Sequence, residues 1–144
     1  MIGKYRGGIV PASGESTPLD EAGGRALESY ARAMDALDLR GGAEATWVLV
    51  STANLYIQQV APWSLAKQGK EAELDSALGA LARVLYRLAV LASPFVPVKA
   101  QALWHSLGLQ GEASAAAWIS LEAPPVSGLT VLKPDILFPK PAAA

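Results

Sequence analysis

The chain has no cysteine and a single histidine, His105, among its 144 residues. That excludes a disulfide framework and a thiolate metal site, and it leaves too few soft ligands for structural zinc. Charged residues are scarce, 17% against 51% hydrophobic, and the formal net charge is -1. A strongly electrostatic nucleic-acid binder carries lysine and arginine in excess, so bulk charge speaks against that class. No stretch reaches the roughly 18 uninterrupted apolar residues of a membrane span, which argues against a membrane partner. Met1 opens a glycine-rich basic segment rather than a secretory leader, so a cytoplasmic location is expected. Acidic residues are missing from Ser76 to Gly111 while Arg83, Arg87 and Lys99 are present, making that stretch locally basic. A phosphate-cradling loop is also missing, because the Gly-Gly pairs lack the strand-turn-helix setting and a lysine-serine or lysine-threonine ending. His105, beside Trp104 and without a cysteine partner, reads as a partly buried packing residue. No catalytic centre is visible.

What is present is helical periodicity. The length fits one domain, here taken as residues 1–144, and the high apolar fraction suggests a surface that another domain covers. Met1 to Arg6 reads as the last turn of a helix truncated at its start, stopped by Gly7-Gly8. Thr17-Pro18 is a helix start, with Thr17 as N-cap, proline at the first helical position, and Asp20 and Glu21 at the positive end of the dipole. Leu19, Ala22, Ala26, Tyr30, Met34 and Leu37 then step by three and four, one stripe facing a core. Gly23-Gly24 weakens this helix by roughly 1 kcal/mol per glycine.

A second helix is expected from about Gly42 to Val60, apolar on every side between Trp47 and Val50 and so suited to the bundle centre. A third, about Glu71 to Ala92, carries Leu74, Leu78, Leu81, Leu85 and Leu88 in an antiparallel-bundle seam. Pro97 opens a fourth that ends near Leu107, with Gly108 as its stop. Residues 17–107 are thus expected as an all-α bundle of about four helices. Residues 112–144 read as an extended tail packed on it, with one short strand at Leu129 to Leu132.

The candidate functional residues cluster around ANLYIQQVAPWSLAK, Ala53 to Lys67. Trp63 follows a proline at a helix end, where a ring can project from the bundle and stack on an unpaired base. It can equally pack under a Ser64 to Lys70 loop as a satellite of the core. Asn54 and Gln58, four apart, can present amides to a base edge or bond between helices. Lys67 follows closely enough to hold a neighbouring phosphate, whereas Lys70 reads as simply solvated. Arg83 and Arg87, also four apart, form a basic pair outside the leucine seam that can meet backbone phosphates or keep the face soluble. Trp47, Trp104 and Trp118 are expected in the core.

ANLYIQQVAPWSLAK resembles the anticodon-binding domain of methionyl-tRNA synthetase, a class I aminoacyl-tRNA synthetase. The resemblance extends through KYRGGIVP at Lys4 to Pro11, LASPFVPVKAQALWHSLG at Leu91 to Gly108, and KPDILFPK at Lys133 to Lys140. It implies a C-terminal helical bundle that reads the CAU anticodon of methionine tRNAs, with Trp63 on the family's anticodon-stacking tryptophan. The family's two other principal readers, an Asn and an Arg one helical turn apart, would lie before Met1. Its ATP-site signatures and zinc knuckle have no counterpart here. The resemblance therefore implies no cofactor in this chain, ATP and magnesium serving a catalytic domain elsewhere in the parent ligase, and tRNA(Met) and that domain as partners. The competing expectation is a helical docking module with no RNA contact of its own.

Overall fold

The computed structural model describes residues 1–133 and 137–138. The chain forms α1 (Ile2–Arg6), α2 (Pro18–Asp35), α3 (Leu39–Val60), α4 (Pro62–Lys67), α5 (Glu71–Ala92) and α6 (Pro97–Ser106), followed by 3-10 turns at Ala113–Ala115 and Trp118–Leu121. The class is all-α, as the periodicity predicts. The short α1 falls on the Met1 to Arg6 segment expected as a helix end, and one element is added to the expected four helices of the bundle: α4, which occupies most of the segment expected as a Ser64 to Lys70 loop. The expected strand is reduced to one antiparallel bridge between Ile9 and Thr130. Around it Val10 N–H donates to the Leu129 carbonyl at 2.9 Å and Val131 N–H to the Gly8 carbonyl at 2.7 Å. The parts of the expected tail at 134–136 and 139–144 lie outside the described residues.

The centre of the bundle is α5, not α3. Thirteen of the 22 residues of α5 are buried, against five of 22 in α3, so neighbours surround α5 on every side. Small residues allow this: Ala77, Gly79, Ala80, Ala82 and Ala89 let other elements approach closely. The bulkier middle of α3 is half outside, with Trp47 54% and Val48 62% exposed while Leu49 is fully buried. Leu37, expected in the α2 stripe, lies beyond the end of α2 in a left-handed turn and is exposed. Trp104 is buried against Tyr86 at 4.9 Å, as a core residue should be. Trp118 is not in the core: it stacks on Tyr30 at 6.0 Å and stays nearly half exposed. His105 is exposed too, its ring Nε2 2.8 Å from the Gln101 amide.

A polar network ties three elements together. Thr17 and Asp20 form a capping box, Asp20 N–H donating to Thr17 Oγ1 at 3.3 Å and Thr17 N–H to the Asp20 carboxylate at 3.0 Å. The same carboxylate accepts a bidentate pair from Arg83 of α5, at 2.7 Å and 2.8 Å. Arg87, one turn on, holds Nη1 3.5 Å from Asp20 and donates from Nε and Nη2 to the Leu121 and Glu122 carbonyls at 2.8 Å and 3.1 Å. The tail is thereby clamped to α5, and Leu121 and Val126 bury beside it. Gly108 completes the fit, since a Cβ there would collide with the Thr130 carbonyl. At the other end Arg6 of α1 bonds Asp75, and Glu71 at 2.6 Å, on the first turns of α5.

Burial resists the Asp20 charge, but hydrogen bonds from Arg83 and Thr17 outweigh it and hold the carboxyl at about 2, below its ordinary 3.8. Because the folded value is depressed, this stability is present above pH 3.8 and is lost as pH falls through 2. The shift corresponds to about 2 kcal/mol. Denaturant titrations from pH 5 to pH 2 should therefore show the Asp20→Asn variant losing about 2 kcal/mol less than the parent, and an identical acid dependence would contradict the network.

The paired glycines of α2 are not equivalent. A Cβ at Gly23 would lie 2.7 Å from Arg87 Nη1, on a guanidinium whose Nε and Nη2 are held by the two carbonyls, whereas at Gly24 nothing lies within 4 Å. Chemical denaturation should show Gly24→Ala stabilising the fold by about 0.5–1 kcal/mol and Gly23→Ala destabilising it by about 1–3 kcal/mol.

Candidate nucleic-acid interface

The junction of α3 and α4 is built on one residue. Ala61 takes a left-handed conformation, φ 47° and ψ 68°, at a cost of about 1–2 kcal/mol for a residue with a Cβ. This turns the chain sharply between the two helices. Pro62, with φ preset by its ring, starts α4, and Ser64 N–H donates back to the Ala61 carbonyl at 2.7 Å. Pro62 and Leu65 are both buried, and Leu65 joins Leu74 and Leu78 of α5 in a small core of its own. With two sides of this single turn anchored, Trp63 points outward, 46% exposed. Lys67, one helical turn after Trp63, is exposed as well.

Asn54 and Gln58 occupy the last two turns of α3, and both are exposed rather than in the helix–helix seam. The structure thus brings Asn54, Gln58, Trp63 and Lys67 onto adjoining stretches of α3 and α4. It does not bring Arg83 and Arg87 there. Their expected role as a solvent-facing basic pair is overturned: the Arg83 side chain is 14% exposed and bound by Asp20, and that of Arg87 is 4% exposed and committed to tail carbonyls. The physical reason is the central position of α5, which leaves no solvent-facing side for an i, i+4 pair. Burial lowers the Arg87 pKa from its ordinary range, with the Asp20 charge opposing.

Sequence reasoning missed Trp47. Trp47, Ser51, Asn54 and Gln58 recur at steps of four, three and four, which puts them on one ridge of α3. All four are exposed. The interleaved polar residues were the signal that this ridge faces water and carries its tryptophan with it. Beside Trp47 lies a shallow hollow of about 430 Å³ lined by Glu44, Val48, Ser51 and Thr52. Glu44 there is paired with Arg40 at 2.9 Å.

Fold and site together define an all-α bundle that displays an aromatic ring, amides and an ammonium group at one helix junction. The family model for the anticodon binding domain of methionyl tRNA ligase matches residues 10–143, and the chain belongs to that family. It is 38% identical over 148 residues to the methionine–tRNA ligase of Deinococcus radiodurans, covering 98% of this chain and 21% of that protein. With the Bacillus subtilis methionine–tRNA ligase the identity is 33%, covering 97% of this chain and 21% of that protein. The apo crystal structure of Mycobacterium tuberculosis methionyl-tRNA synthetase superposes with a TM-score of 0.78 at 25% identity, covering 96% of this chain and 29% of that one. The chain therefore spans between a fifth and a third of the proteins it resembles. Membership in this family favours anticodon binding over a role in docking alone.

Exposure separates the tryptophans energetically. Equilibrium unfolding should place Trp63→Ala and Trp47→Ala each within about 1 kcal/mol of the parent, while Trp104→Ala costs about 3–5 kcal/mol.

Proposed function

We propose that this chain is the anticodon-reading module of a methionine–tRNA ligase, binding the anticodon loop of tRNA(Met) while a separate catalytic domain aminoacylates it. The observation that carries the reading is Trp63: a large ring held outside the bundle by the buried Pro62 and Leu65 on either side of it. Such a ring is a stacking platform for an unstacked loop base. Asn54 and Gln58 supply amides that can donate to and accept from a base edge, and Lys67 is placed to meet the phosphate beside the stacked base. Arg83 and Arg87 take no part, being consumed inside the fold.

In this reading the protein works in the cytoplasm, and no described helix is long and apolar enough to cross a membrane. ATP and magnesium act in the catalytic domain, and this chain contributes position rather than chemistry. A net charge of -1 and one well-placed lysine imply modest affinity that depends on stacking more than on counterion release.

The test is aminoacylation by the ligase carrying Trp63→Ala. Loss of one base stack is worth about 1–3 kcal/mol, so kcat/KM for tRNA should fall roughly ten-fold to a hundred-fold with methionyl-adenylate formation unchanged. An unchanged kcat/KM for tRNA would contradict the reading.

A further inference from the structure

Between Ala45 and Ala66 the chain carries no charged residue, yet the α3 part of this stretch is open to solvent along one side. Within it the ridge Trp47, Ser51, Asn54, Gln58 runs to the last turn of α3, with Trp63 five residues beyond Gln58 across the left-handed Ala61. At 1.5 Å per residue, Trp47 stands roughly 16 Å along the axis from Gln58, with Asn54 between them. The ridge thus has a tryptophan near each end and amides between. The Trp47 ring borders the hollow formed with Val48, Ser51 and Thr52, whose one acid, Glu44, is ion-paired with Arg40 at 2.9 Å.

From this continuity we infer that Trp47 is a second stacking platform, taking a base of the same RNA strand several nucleotides away from the one on Trp63. The inference rests on the RNA-binding reading above and extends its site along α3. An uncharged ridge suits bases rather than phosphates, because stacking needs only a π-face and tolerates any base. Trp63 and Trp47 then fix two points of the loop. A loop so held cannot rotate about a single stack, and the amides of Asn54 and Gln58 lie where the intervening bases must pass. Trp47 touches the RNA directly in this scheme, but through a base face that carries no identity, so it adds affinity and orientation rather than sequence discrimination.

The experiment is fluorescence-anisotropy titration, at low salt, of a labelled CAU anticodon stem-loop with the 144-residue chain and its Trp47→Ala, Trp47→Phe and Trp63→Ala variants. Circular dichroism melts first establish that each variant is folded. The expected result is a Kd raised about ten-fold by Trp47→Ala, largely restored by Trp47→Phe, and raised at least as much by Trp63→Ala. When each loop nucleotide in turn is made abasic, one position should bind the parent and Trp47→Ala equally while still discriminating Trp63→Ala. Loss of affinity in Trp63→Ala alone overturns the second platform and leaves the RNA-binding reading standing. No loss in either variant, or no binding by the parent, overturns both. Should Trp47→Ala leave RNA binding intact but impair methionyl-adenylate formation in the ligase, the ridge is a protein-docking face and the inference fails.

Discussion

The Asp20 carboxylate, shared between two arginines of α5, is the constraint on which the rest of the molecule depends. It closes the capping box that starts α2, it anchors Arg83 in a fork-to-fork pair, and it balances the charge of Arg87. Arg87 in turn grips the tail through two carbonyls. Removing one partner from such a cluster leaves a buried charge uncompensated, which costs about 3–5 kcal/mol in comparable sites. The network also dictates composition nearby. Gly23 must remain without a side chain because Arg87 occupies the space, and the basic residues of α5 cannot serve a ligand because the fold has already used them.

With α5 fixed at the centre, the side proposed to meet RNA is left to α3 and α4. The second small core of Leu65, Leu74 and Leu78 seats α4 against α5, and the left-handed Ala61 sets the angle at which the chain arrives. A strained turn held between buried neighbours is a rigid mount. Trp63 is therefore presented by the frame rather than by a loop, and in the proposed role an ordered platform forfeits less entropy on binding than a mobile one. The molecule divides its labour by charge: arginines and acids brace the interior and the base of α5, while α3 carries no charged residue from Ala45 to its end at Val60.

Much of the frame was legible in the residues. Thr17-Pro18 marked the start of α2, and the leucine seam marked α5 from Glu71 to Ala92, because caps and periodicity are local signals. What misled was burial. Trp47 to Val50 is apolar in sequence, but the centre of a bundle selects small residues as much as apolar ones, and α5 had the alanines. The arginine pair failed for a related reason: spacing puts Arg83 and Arg87 on one face without saying what lies opposite, and the acid that claims them is more than 60 residues away. α4 was missed because Pro62 reads as a stop when, after a left-handed Ala61, it is a start. Trp63, by contrast, projects from the bundle, as one of its two readings anticipated, because its neighbours Pro62 and Leu65 claim the buried positions.

The central claim is that Trp63 stacks on a base of the anticodon. It is tested most directly by replacing the middle adenine of the CAU anticodon in a stem-loop with 2-aminopurine, whose fluorescence responds to the stacking of its neighbours, and adding the chain. Capture of the loop on Trp63 predicts a saturable fluorescence change with the parent, and with a folded Trp63→Ala variant a smaller change that needs at least about ten-fold more protein. Equal changes from parent and variant would contradict it.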